Sequence, residues 1–162
     1  MIDHEQILKV LVLSRVEFIV VDGVAAALHG AARATYDVDV VYRRDDSNLA
    51  RVVTALAPYA PYPRGSPPGL PFRWDARTVR AGLNFTLVTQ LGDVDLLGEV
   101  AGGNYESLLP HTSELDMDGF RVRCVDLPTL IRLKRAAGRP KDFEAIAELE
   151  ALLARRPAGP PK

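Results

Sequence analysis

The chain has 162 residues, 48% of them hydrophobic and 25% charged, which is ordinary usage for one globular domain with a sizeable core. Its net charge of −1 excludes a global basic field for nucleic acid, so any such contact must come from a local patch. One cysteine, Cys124, excludes a disulfide framework, and no apolar run is long enough to span a membrane.

The N-terminus lacks the basic region and apolar core of a secretion signal. The expectation is a cytoplasmic protein with one domain over residues 1–156 and a frayed tail over 157–162. Residues 5–15 suit an amphipathic helix, with Ile7, Leu8, Val10, Leu11 and Leu13 on its core face. Glu17–Val21 reads as a buried strand rich in β-branched residues. Asp22-Gly23 turns the chain into a short helix over Val24–Leu28, with Gly30 near its end. Such a strand-to-helix turn aims backbone N–H groups at one spot, a natural phosphate site. It is equally a tight turn with Asp22 as the helix cap.

Asp37–Tyr42 is a second strand. Alternate residues of a strand share a face, so Asp37 and Asp39 present two carboxylates side by side among valines. Their repulsion calls for an offsetting charge, and a hard divalent cation takes carboxylate oxygens. Asp46–Leu56 is a helix, capped by Asp46 or Ser47, with Leu49, Val52, Val53 and Leu56 inward. Pro58–Pro71 holds six prolines and reads as a loop without regular structure. Arg64, Arg73, Arg77 and Arg80, with Phe72 and Trp74 among them, suit stacking on a nucleotide or RNA. They suit equally a solvated basic segment with Trp74 packed on the body.

Asn84–Thr89 is a strand, and Asp93–Leu97 is another with Asp93 and Asp95 on one face. A short helix over Tyr105–Leu109 precedes two strands around Asp118-Gly119, a two-residue hairpin signal. Asp126 caps a helix that ends at Gly138. Leu127, Leu130, Ile131 and Lys134 share one face of it, so Lys134 either snorkels past the core edge or enters a cleft that holds phosphates. Lys141–Arg155 is a last helix, with Phe143, Ile146, Leu149, Leu152 and Leu153 inward. Lys141 and Asp142 suit equally a contact to a ligand or an exposed pair that merely starts this helix.

The order of strand, glycine turn, helix, basic loop, Asp-x-Asp strand, helix and later acidic strand resembles the nucleotidyltransferase superfamily of the DNA polymerase β type. Within it, His29-Gly30, Arg33-x-Thr35-x-Asp37-x-Asp39, Val94–Leu97 and Lys134-x-x-x-Gly138-Arg139-Pro140-Lys141-Asp142 are similar to the abortive-infection toxins and their bacterial relatives. The resemblance covers about residues 15–152. It implies an α+β fold: a mixed sheet with helices on one side and a C-terminal helical pair. It implies transfer of a nucleoside monophosphate from an NTP to a hydroxyl of tRNA or protein, and a cognate antitoxin as partner. Asp37, Asp39 and Asp95 would be the catalytic carboxylates and hold Mg²⁺ or Mn²⁺ in a two-metal site. Asp95 is preferred to Asp93 because Val94, Leu96 and Leu97 place it mid-strand. Gly23, Arg33, Thr35 and Lys134 would contact the NTP.

One position departs from the pattern. The family has glycine or serine at both turn positions, and here the first is Asp22. A carboxylate about 5 Å from a phosphate opposes it by about 3 kcal/mol per charge pair at an effective dielectric of about 20. Asp22 thus favours the alternative of a nucleotidyltransferase fold that binds partners without efficient catalysis.

Overall fold

The computed structural model describes residues 3–32 and 34–156. Its centre is a seven-stranded mixed sheet. In chain order the strands are β1 (Phe18–Val21), β2 (Asp37–Tyr42), β3 (Tyr62–Pro63), β4 (Asn84–Thr89), β5 (Gly92–Leu97), β6 (Glu99–Val100), β7 (Gly103–Asn104), β8 (Thr112–Met117) and β9 (Phe120–Val125). The sheet order is β3-β4-β5-β2-β1-β9-β8, and β6 with β7 forms a separate two-stranded ribbon. β2 runs parallel to β5 and β1 parallel to β9, while β1 and β2 are antiparallel. All four residues of β1 and the last five of β2 are buried. That burial explains the unbroken apolar run of β1 and the valines of β2, because a central strand covered on both faces has little room for polar side chains; Asp39 is the exception.

The helices are α1 (His4–Leu13), α2 (Asp22–Leu28), α3 (Asp46–Leu56), α4 (Ala76–Ala81), α5 (Tyr105–Leu108), α6 (Leu127–Ala137) and α7 (Pro140–Arg155). α6 and α7 form the C-terminal pair, and α2 packs between β1, β2 and α6. Asp118 and Gly119 both have positive φ, the geometry of the two-residue hairpin turn between β8 and β9. Asp126 caps α6 by accepting from Thr129 N at 2.8 Å. Cys124 is buried, and burial pushes its thiol up to about 12, so it is inert packing. No described helix is long and apolar enough to cross a membrane.

Several local expectations are corrected. α3 is capped by Asp45, not Asp46 or Ser47: its carboxylate accepts from Asn48 N at 2.8 Å and from Ser47 Oγ at 3.0 Å. The proline-rich segment does pair, since Tyr62 and Pro63 form an edge strand on β4, where a proline's missing donor costs least. Trp74 packs on the body. Its Nε1 donates to Val53 O at 3.0 Å, and its ring meets Phe85 edge-on. Arg80 pairs with Asp46, while Arg73 and Arg77 are exposed; of the two expectations for this segment, the packing of Trp74 is the one observed. Leu13 at 72%, Phe143 at 59% and Leu153 at 37% are exposed rather than inward, whereas Asp142 is 1% exposed rather than a surface residue. The buried line of α7 is therefore Asp142, Ile146 and Leu149. The expected tail over 157–162 lies outside the described residues.

One buried polar residue ties the middle of the fold together. Asn48 is fully buried; its Nδ2 donates to Glu17 O and Arg43 O at 3.0 and 2.7 Å, and its Oδ1 accepts from Glu17 N at 2.7 Å. It joins the start of β1, the exit of β2 and the first turn of α3. Removing the amide leaves three backbone groups without their partner, each costing about 1–3 kcal/mol when buried. Asn48→Ala is expected to destabilise the protein by about 3 kcal/mol or more, read as a lower urea midpoint at unchanged slope.

Candidate active site

The pairing of β2 with β5 builds the site. Their parallel register sets Asp37 beside Asp93 and Asp39 beside Asp95. Neighbouring strands lie about 4.8 Å apart, and two-residue spacing puts all four carboxylates on one face. Oxygens of Asp37, Asp39 and Asp95 lie within 4.8 Å of one another. Asp39 is 6% exposed. Burial, a hydrogen bond with Asp95 and the charges of Asp22, Asp37 and Asp95 push its carboxyl up to about 9. Asp37 is raised too, first by burial and then by Asp95. These are carboxylates held together against their own repulsion.

Two groups of cations border them. On the β3 side, Arg64 directs Nη2 to Asp95 Oδ1 at 2.9 Å, Nε to Asp93 Oδ2 at 3.2 Å and Nη1 to Asp37 Oδ2 at 3.8 Å. On the helical side, Lys134 forms a close ion pair with Asp22 and lies 3.6 Å from Asp142. Arg139 holds Asp142 at 2.8 Å and reaches Asp22 at 3.7 Å. Burial opposes the charge of Asp142, but the Arg139 side chain and backbone N–H hold its carboxyl below the ordinary range.

Asp22 does not cap α2. It is the first residue of that helix, with φ of +59°, and its carboxylate points to Lys134 and Arg139. A left-handed residue other than glycine stores strain of about 1–3 kcal/mol, although aspartate tolerates it better than most. At Gly23, a Cβ would meet Thr35 Oγ1 at 2.5 Å, so only glycine fits against the chain entering β2. Thr35 Oγ1 in turn donates to Asp37 O at 3.1 Å.

Two cavities meet at this junction. One of about 430 Å³ is flanked by Asn84, Glu99, Leu130 and Leu133; the other, of about 380 Å³, by Gly23, Thr35, Tyr36 and Lys141. Asp22, Asp39, Asp95, Lys134 and Arg139 line both. Each is of small-ligand size. The structure thus brings together Gly23, Thr35, Lys134, Asp37, Asp39 and Asp95. Arg33 lies outside the described residues. His29 stands apart: its ring Nε2 is 2.7 Å from Val125 O and its Nδ1 2.7 Å from Arg156. It pins the end of α2 to β9, and burial lowers its pKa.

Sequence reading missed Arg64 and Arg139 as site residues. Arg64 sits in the proline-rich segment with no periodicity to mark its direction. For Arg139 the Gly-Arg-x-Lys-Asp piece was the available signal.

No family model matches the chain, and no curated protein matches it at a significant level. Solved structures do. A candidate nucleotidyltransferase from Thermotoga maritima is similar with a TM-score of 0.58 and 15% identity, over 96% of this chain and 97% of that one. An antigenic nucleotidyltransferase-like protein from Paracoccidioides brasiliensis is similar with a TM-score of 0.53 and 17% identity, over 94% of this chain and 78% of that one. The mixed sheet and its helices therefore have the fold of nucleotidyltransferases.

Proposed function

We propose that this chain is a divalent-metal-dependent nucleotidyltransferase. It would move a nucleoside monophosphate from an NTP to a hydroxyl of tRNA or protein. The observation that carries this reading is the cluster of Asp37, Asp39 and Asp95 oxygens within 4.8 Å on two parallel strands. The donor set is all carboxylate, and its innermost member, Asp39, is 6% exposed. Such oxygens fit Mg²⁺ or Mn²⁺. When bound, the ion supplies positive charge to the triphosphate and to charge developing at the reacting phosphorus.

Asp37 and Asp39 would hold the ion. Asp95, at its edge, would take the proton of the acceptor hydroxyl as that oxygen attacks the α-phosphorus. The bond from the α-phosphorus to the α–β bridging oxygen breaks, and pyrophosphate leaves. Lys134, Arg139 and Arg33 would bind phosphates. Gly23 leaves room for Thr35, which fixes the entry of β2 and so the aim of Asp37. The resemblance to abortive-infection toxins extends the reading to a cytoplasmic toxin restrained by a cognate antitoxin.

The ion pair of Asp22 with Lys134 favours a second reading, a nucleotidyltransferase fold with weak catalysis. A carboxylate of the chain already holds the cations that a triphosphate would use.

Incubation with labelled NTPs, Mg²⁺ and a cell extract is expected to label one class of acceptor. Asp39→Asn should lower that rate at least about a hundredfold, the scale of losing a key electrostatic group. If none of the four NTPs binds in calorimetry and nothing becomes labelled, the enzyme reading fails and the second one stands. Asp22→Gly removes the competing carboxylate and the positive-φ strain. It is expected to tighten NTP binding about tenfold, or 1.4 kcal/mol; unchanged affinity would mean that Asp22 does not compete with phosphate.

The raised carboxyls of Asp37 and Asp39 make the metal reading testable by pH. Folded pKa values above the ordinary 3.8, raised for Asp37 and about 9 for Asp39, favour the folded state below about pH 4, and the Asp39 contribution is lost as pH rises toward about 9. Metal-free protein is therefore expected to lose thermal stability between about pH 5 and pH 9. Each kcal/mol lost lowers Tm by about 2–4 °C in a domain of this size. Millimolar Mn²⁺ should restore Tm most at the high end, and Asp39→Asn should flatten the profile. A Tm indifferent to both pH and Mn²⁺ would refute the site.

A further inference from the structure

We propose that Arg64 is a built-in cation of the carboxylate site. Its guanidinium stands where a second metal ion would lie beside Asp95, so the site takes one divalent ion, on Asp37 and Asp39. This inference rests on the metal-dependent reading above and narrows it.

The backbone aims Arg64 there. Arg64 N donates to Thr86 O at 2.9 Å, next to the Pro63–Leu87 pairing of β3 with β4. Thr86 is opposite Asp95, and Asp95 is beside Asp39. Arg64 therefore lies two strands from Asp95 in the same cross-sheet row, within reach of an extended arginine. Its Nη2 also donates to Leu87 O at 2.8 Å. That neutral acceptor fixes the head group on the sheet rather than on a free loop.

The contacts divide the four carboxylates unequally. Each of the three guanidinium nitrogens faces a different one: Asp95 at 2.9 Å, Asp93 at 3.2 Å and Asp37 at 3.8 Å. Asp39, the most buried of the four, lies toward Asp22 and the helical cations. A second ion bridging Asp95 would sit about 3.5–4 Å from the first, at oxygens the guanidinium already faces. Metal–oxygen distances for Mg²⁺ are about 2.1 Å, so such an ion and Nη2 would crowd the same Asp95 oxygen. Arginine keeps its charge at any working pH and carries no acceptor. It neutralises Asp95 and Asp93 permanently and leaves the Asp37–Asp39 edge for the exchangeable ion. Arg64 is thus a positioning residue: it holds Asp95 in place for the acceptor hydroxyl.

The test counts Mn²⁺ bound to the full chain without nucleotide, by electron paramagnetic resonance of free ion and by calorimetry. Wild type, Arg64→Gln and Arg64→Lys are compared, with circular dichroism to confirm folding. One ion is expected in wild type and in Arg64→Lys, which keeps the charge, and two in Arg64→Gln. Two ions in wild type, or one in folded Arg64→Gln, would overturn the inference and leave the enzyme reading intact. No Mn²⁺ bound by any of the three would overturn both. A second measurement stands if Arg64→Gln does not fold. Asp39→Asn should weaken Mn²⁺ binding at least about a hundredfold, while Asp95→Asn should change it by less than about threefold. The reverse order would overturn the assignment of Asp95 to Arg64.

Discussion

Repulsion among carboxylates governs this structure. Asp37, Asp39, Asp93 and Asp95 share one face of β2 and β5, and Asp22 follows directly from the neighbouring strand. Two such charges about 5 Å apart oppose each other by about 3 kcal/mol at an effective dielectric of about 20. No chain holds several of them on a sheltered surface without compensation. Here compensation comes from two directions. Arg64 reaches in along the sheet from its edge strand, and Lys134 with Arg139 reaches in from the C-terminal helices. Burial and the neighbouring carboxylates push the carboxyl of Asp39 up to about 9 and raise that of Asp37, so a proton on Asp39 takes up charge that these cations leave over.

The apolar body of the fold exists to fix that geometry. β1 and β2 are buried along both faces, and a slip of β2 by one residue would carry Asp37 and Asp39 off the face they share with Asp93 and Asp95. Asn48 pins the outer ends of those strands to α3. At the inner end, Gly23 and Thr35 are in contact, and Thr35 holds the first residue of β2. The carboxylates are therefore positioned by strand register on one side and by a glycine-dependent contact on the other. Rigid elements with locked side chains are what a site of this precision needs.

The parts legible in the sequence were those with a local signal. β2 and β4 follow from runs of β-branched residues, the β8–β9 hairpin from Asp118-Gly119, and α6 from its cap at Asp126. Asp37 and Asp39 were legible from period-two spacing on an apolar strand, and Asp95 through the resemblance, which calls for a third carboxylate on a later strand. What was not legible is pairing across the chain. Nothing in residues 58–71 says that Pro63 lies on a sheet edge or that Arg64 crosses β4, because proline removes the periodicity on which such reading depends. Phe143 and Asp142 were exchanged for a related reason. Hydrophobicity alone puts the phenylalanine inward, but Asp142 is drawn in by Arg139 and Lys134. Burial of a charge follows its partners rather than its own polarity.

Asp22 shows how the same repulsion bears on function. Its carboxylate adds a negative charge next to an acidic cluster and occupies a left-handed backbone. Both are unfavourable alone. Both become tolerable because Lys134 is 11% exposed and Asp22 is the nearer of its two carboxylate partners, with Asp142 standing 3.6 Å away. Asp22 and Lys134 thus stabilise each other, and a phosphate entering between the two cavities would have to replace one member of the pair. A triphosphate carries more negative charge than one carboxylate and presents it to Lys134 and Arg139 together.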